Sequence, residues 1–224
     1  MRVLLTFLFT TILTIVWGQA KQKKNPADFL PKGFILFETI RGDLNKDGTE
    51  DCILIIKGTD KSKIVTNKYT GQFDRNRRGI IILFNKNNQY ELVLKNQDCF
   101  SSENEDGGAY FAPEFSVEID NGNLIAHYGH GRYGYWKYTF RPKNGDFELI
   151  GYDASSNRGP IIQYQISINF LTKKKLTKDN LNKDDDGEEE NEENFKDTWK
   201  KITIKNLIRL SSIKDFDELD MTKY

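Results

Sequence analysis

Asp43, Asn45, Asp47 and Asp51 put four oxygen-bearing side chains into nine residues, with Gly48 among them. A hard cation such as calcium takes several oxygen ligands from one short loop, with glycine where the backbone turns sharply. Counting Asp43 as position 1, the side-chain ligands fall at 1, 3, 5 and 9, the Thr49 carbonyl at 7 and Gly48 at 6. An EF-hand would need a bidentate glutamate at position 12, where this chain has Leu54. Three carboxylates crowded into one turn repel unless a cation sits among them, which favours one structural calcium ion. The alternative is an Asp/Asn/Gly-rich turn without an ion.

Other residues could do different chemistry. His127 and His130 are the two histidines of the chain, spaced H-x-x-H around Gly129. That spacing can bring two imidazoles to one metal, but no third ligand is identifiable nearby. Arg132, Trp136 and the more distant Tyr110 add cationic and aromatic groups, so Tyr110, His127, His130, Arg132 and Trp136 form a candidate ligand surface for a sugar or a peptide. Alternation competes with this reading, because it sends Trp136, Tyr138 and Phe140 to one face, as in a core. Motifs for a nucleophile elbow, a zinc protease or a phosphate-binding loop are missing. Carboxylates at Asp98, Glu103, Glu105 and Asp106 keep a hydrolase with an acidic pair open as the alternative.

These groups must be held by strands. Apolar and β-branched runs at 34–40, 52–56, 80–84, 90–94, 115–119, 124–128, 134–141, 147–152 and 161–171 read as β-structure, with one more strand or two short ones near 199–210. Asn121-Gly122 and Lys143-Asn144-Gly145-Asp146 mark tight turns between alternating runs, and Asn85 to Gln89 marks another. The expected fold is all-β: an antiparallel meander of about ten strands, an open barrel or sandwich-like. Residues 57–79 read as a long polar connection, 21–32 as a flexible leader, and 33–224 as a single domain. The lysine and acid runs between 173 and 197 read as a disordered insertion, because like charges repel and stay solvated.

Arg2, the apolar run Val3 to Val16 and the small residues Gly18-Gln19-Ala20 have the form of a secretory signal. The run is about 14 residues, short of the roughly 20 a spanning helix needs. The expectation is cleavage near Ala20, an extracytoplasmic (periplasmic or secreted) chain and no transmembrane anchor. Without Arg2 the balance is 32 basic against 33 acidic residues, which gives no argument for nucleic acid as a partner. Cys52 and Cys99 either form one disulfide, worth roughly 4 kcal/mol by chain entropy, or stay as two buried thiols. A bridge requires the segment after Lys95 to fold back.

The D-x-N-x-D-G-x-x-D loop between two strands resembles the calcium loop of FG-GAP/VCBS repeats. With Asp106-Gly107-Gly108, Ile119 to Leu124, His127-Tyr128-Gly129, Phe147 to Asp153 and Asn169 to Thr172, most of 34–171 resembles VCBS-like secreted or periplasmic bacterial proteins of Bacteroidota type. The resemblance implies fold and location and no established activity. Only two blade-sized groups of strands are present, too few to close a propeller. The functional expectation is a calcium-binding, non-catalytic binding or interaction module for a carbohydrate or protein ligand, with an extracytoplasmic hydrolase using loop carboxylates or His127/His130 as the alternative.

Overall fold

The structure, a computed structural model, describes residues 22–68, 71–103, 113–183 and 193–224. The signal-like residues, Tyr110 and the acids Glu105 and Asp106 lie outside them. Four strands, β1 (Phe34–Gly42), β2 (Asp51–Gly58), β5 (Arg78–Lys86) and β6 (Gln89–Phe100), form one antiparallel sheet in the order β1-β2-β5-β6. Between β2 and β5 a small hairpin, β3 (Ile64–Asn67) and β4 (Gly71–Asp74), occupies the stretch read as a polar connection. Seven strands make the second sheet as a plain meander: β7 (Glu114–Asp120), β8 (Asn123–Gly129), β9 (Gly134–Lys143), β10 (Asp146–Arg158), β11 (Ile161–Asn169), β12 (Lys174–Asn180) and β13 (Phe195–Lys201). The chain is all-β and antiparallel, and neither sheet closes into a barrel or propeller. Among the described residues no helix is long and apolar enough to cross a membrane.

Turn chemistry explains the meander. Asn87 and Asn88, Asn121 and Asn144 all take left-handed φ between 50° and 60°, which two-residue hairpin turns require and asparagine tolerates. Alternation then sorts the side chains. Ile53, Ile55, Ile80, Ile82 and Leu94 of the first sheet share a core with Val117, Leu124, Tyr128, Tyr138, Phe140 and Leu149 of the second. Trp136 packs against this core beside Tyr138 and Phe140, so these three do share the inner face.

The other face of the first sheet is apolar too: Cys52, Leu54, Ile56, Ile81 and Leu83. An apolar sheet face must be covered, and here the leader covers it. Residues 22–32, expected to be flexible, instead lie on the sheet: Lys23 exchanges backbone hydrogen bonds with Tyr90 at 2.8 and 3.0 Å. A 3-10 turn at Pro26–Phe29, capped by Asn25, then sets Phe29 and Leu30 on that cluster.

Two further expectations are corrected. The span 173–197 is not all insertion, because β12 and the start of β13 pair across it, leaving 184–192 outside the described residues. The pairing sets Lys178 opposite Asp197 and Asp179 opposite Lys196, two complementary pairs that offset the like-charged pairs Lys174–Lys201 and Lys175–Lys200 at the other end of the hairpin. The candidate disulfide is not formed: Cys52 and Cys99 are both buried free thiols. β6 runs straight on through Cys99 instead of folding back. Cys52 lies level with Leu83 and, beyond it, Leu92. Cys99 is about seven residues further along β6, roughly 23 Å at strand rise, far beyond bridging range, and belongs to the other core cluster.

The last segment, after β13, has no strand. It runs between the sheets and contributes Ile202, Leu210, Ile213, Phe216 and Met221 to the shared core. Asn96 of β6 holds it by donating to the Leu210 and Ile213 carbonyls at 3.0 and 2.7 Å. Asp146 of β10 holds it from the other side, accepting from the Ser211 hydroxyl at 2.5 Å.

Candidate functional site

The acidic loop joins β1 to β2 and is anchored from beneath by Leu44, which is fully buried in the shared core. Asp51, at the first position of β2, is also fully buried. Its Oδ2 accepts the N–H groups of Leu44 at 2.9 Å and Asn45 at 3.3 Å, and its Oδ1 accepts that of Asn85 at 2.9 Å. Burial pushes its carboxyl above the ordinary value, against the opposing pull of those N–H groups. Asp51 thereby ties the loop to the end of β5 and faces away from the loop's open side.

Asp43, Asn45 and Asp47 gather at the open side. Asp43 Oδ1 and Asn45 Oδ1 accept the same Asp47 N–H, at 3.1 and 2.9 Å, and Asp43 Oδ2 accepts that of Gly48 at 2.9 Å. Gly48 has φ of 84°, the conformation that glycine supplies without strain. Hydrogen bonds from the Asn45 amide and the Thr49 N–H hold the Asp47 carboxyl below its ordinary value. Each of these oxygens has a further lone pair, so Asp43, Asn45 and Asp47, with the Thr49 carbonyl, fit a hard oxygen-seeking cation. Asp51 differs from them in being fully buried beneath the loop, on the Leu44, Asn45 and Asn85 N–H groups. Among the described residues no three His, Cys, Asp or Glu side chains stand together as a cage.

His127 and His130 are separated by their packing. His127 lies against Tyr135, ring centroids 5.6 Å apart, whereas His130 lies against Tyr133 at 5.4 Å and meets Trp136 edge-on at 6.0 Å. Arg132 is exposed on the 3-10 turn Gly131–Tyr133. Trp136 is different: it lines a cleft of about 310 Å³ on the inner face of the second sheet. The cleft also takes Tyr133, Tyr152 and Tyr164, and the segment 219–222 of the C-terminal tail walls it. None of these four partners follows from motif spacing. Tyr152 and Tyr164 come from successive strands, and only the strand register puts them on the face of Trp136.

Of the four candidate hydrolase acids, Asp98 and Glu103 are described, and Glu103 is tied to a lysine. Glu103 Oε2 and Asp74 Oδ2 both contact Lys57 Nζ, at 2.6 and 2.9 Å. Burial works against the Lys57 charge, but its bonds to Glu103 and Asp74 outweigh burial and hold it above the ordinary value. Burial likewise opposes the Asp74 charge, but the Asn76 N–H groups and Lys57 outweigh it and hold Asp74 below. The lysine helps hold Asp74 ionised, whereas a general acid must hold its proton. The stability from Asp74 is present above about pH 3.8 and is lost as pH falls through its lowered value; that from Lys57 is present below about pH 10.5 and is lost as pH rises through its raised value. Discounted for partial exposure and screening, the group is worth about 1–2 kcal/mol. Lys57→Met should lose that much at neutral pH, with the loss shrinking as pH falls through the Asp74 value and as it rises through that of Lys57. Urea midpoints across pH test this, and a difference that grows in acid would contradict it.

Comparison of the chain with protein-family models, with curated proteins and with solved structures finds no match.

Proposed function

We propose that this protein is an extracytoplasmic, calcium-stabilised β module of the VCBS/FG-GAP-like kind that binds a ligand without transforming it. The observation that carries the calcium assignment is the shared Asp47 N–H, which draws the Asp43 and Asn45 oxygens to one point on the open side of the loop. Calcium there is held by Asp43, Asn45, Asp47 and the Thr49 carbonyl, with Asp51 as the post that fixes the loop from below. The ion's part is structural: it offsets the repulsion between Asp43 and Asp47 and pins the turn between β1 and β2. The signal-like N-terminus supports the location. The pairing of Asp74 and Glu103 with Lys57 and the separate packing of the two histidines favour binding over the hydrolase alternative.

Calcium at a hundredfold its Kd should stabilise by about 2.7 kcal/mol. For a chain of this size that raises Tm by about 5–10 °C. Asp43→Ala combined with Asp47→Ala should abolish the increase. A melt that is the same in calcium and in EGTA would remove the calcium assignment.

A further inference from the structure

β10 carries a small side chain at Ala154, where both neighbouring strands carry large ones. On the inner face of the second sheet, Trp136 of β9, Ala154 of β10 and Ile166 of β11 lie in one cross-strand row. Gly134, Ser156 and Tyr164 form the next row, and Tyr138, Tyr152 and Ile168 the one on the other side. Ala154 and Ser156 therefore leave a trough along β10, with Trp136 on one bank, Tyr164 on the other and Tyr152 at its inner end. β9 and β11 stand about 9.5 Å apart across it, two inter-strand spacings. Trp136 and Tyr164 stand on opposite banks one row apart, which leaves room for a pyranose ring lying obliquely between them.

The banks are held in place. Trp136 stacks on Tyr128 with centroids 5.5 Å apart and planes 13° apart, which fixes the indole before any ligand arrives. Gly134 lets Tyr133 and β9 approach β10: it has φ of 108°, and a Cβ there would stand 1.9 Å from the Ser155 carbonyl oxygen. Tyr133 and Tyr164 are each 41% exposed, so these large rings are open to a ligand.

The chemistry of the lining selects the ligand. Its one formal charge is Asp220, whose carboxyl is held below its ordinary value by the Thr222 hydroxyl and N–H. With no cation in the lining, a phosphorylated or acidic ligand finds no charge partner there. Ser156, Thr222 and the tyrosine phenols supply hydroxyls among the rings of the lining. Rings for C–H faces interleaved with hydroxyls and a carboxylate suit a polyhydroxylated ring. A quaternary ammonium would use the rings alone and leave the Ser156 and Thr222 hydroxyls without a role.

We infer that this trough is a binding site for a neutral oligosaccharide, gripped between Trp136 and Tyr164 and hydrogen-bonded by Ser156, Asp220 and Thr222. The inference rests on the reading of the chain as a non-catalytic binding module, and it supplies that module's ligand class.

Isothermal titration of the purified protein against cellohexaose, maltohexaose, chitohexaose, xylohexaose and mannohexaose tests it, with hexagalacturonate and tetramethylammonium as charged comparators. At least one neutral hexasaccharide should bind at one site per chain. Tyr164→Ala, which removes an open bank, and Ala154→Leu, which fills the trough, should each weaken binding tenfold or more with Tm and the calcium response retained. The inference is overturned if no neutral hexasaccharide binds, if both variants bind like wild type, or if only a charged comparator binds. A calcium-dependent melt in those cases leaves the calcium reading standing. New reducing ends from a bound hexasaccharide would overturn the non-catalytic reading and leave the trough as the binding site.

Discussion

Asp51→Ala is expected to cost about 3 kcal/mol of folding stability, among the largest single-residue effects in the first sheet. The carboxylate is fully buried and accepts three backbone N–H groups, from Leu44, Asn45 and Asn85. Each N–H left without a partner out of water costs about 1–3 kcal/mol. The sum is reduced because removing the side chain also removes a charge that burial disfavours, as its raised proton affinity shows. Asp51→Asn should lose roughly half as much, since one amide oxygen can still accept from Leu44 and Asn45 while the amide nitrogen meets the Asn85 N–H without bonding. Urea denaturation of both variants reads the difference. An alanine variant within 1 kcal/mol of wild type would mean that the loop is held by Leu44 packing alone. The comparison with Asp43→Ala separates post from ligand: Asp51 should matter in EGTA as much as in calcium, and Asp43 chiefly in calcium.

Phe216→Ala should cost about 3–5 kcal/mol, the range for deleting a fully buried aromatic ring from a packed core. Its ring lies between the sheets, 4.9 Å from Phe100 of β6 and 5.1 Å from Tyr138 of β9, with Tyr128 at 6.3 Å and Phe140 at 6.1 Å. Its backbone N–H donates to the Cys99 carbonyl at 3.0 Å. No other ring of the tail is packed against both sheets in this way among the described contacts, so the cavity cannot be filled by a small shift of one sheet. The loss should have a second consequence. Residues 219–222 wall the binding trough and follow directly from Phe216, through the Leu219 N–H to Phe216 carbonyl bond at 3.2 Å. A folded Phe216→Ala chain should therefore bind oligosaccharide more weakly than wild type at a temperature where both are native. A loss under 1 kcal/mol with the trough intact would show that Asn96 and Asp146 hold the tail without the ring.

The acidic loop was legible in the sequence because its chemistry is local. Asp43, Asn45, Asp47 and Gly48 act on backbone groups within five residues of themselves, and spacing alone defines that geometry. Hairpin turns at Asn121 and Asn144 were legible for the same reason. Asp51 was legible as an oxygen in the loop but not as its buried post, because one of its partners, Asn85, is 34 residues away. Charge runs misled where partners are remote: Lys178 and Asp179 look like a solvated block until Asp197 and Lys196 stand opposite them. The cysteines left a bridge and two buried thiols both open, and the straight course of β6 decides for the thiols.

By itself, then, the sequence determined the strand-and-turn alternation, the antiparallel class and a loop of converging oxygens, all set by interactions over a few residues. Only the tertiary structure decided which apolar face the leader covers, where the C-terminal tail lies and that a trough exists beside Trp136. Those depend on which strands neighbour one another. The small Ala154 becomes a cavity floor only because Trp136 and Ile166 flank it across two separate strand pairings.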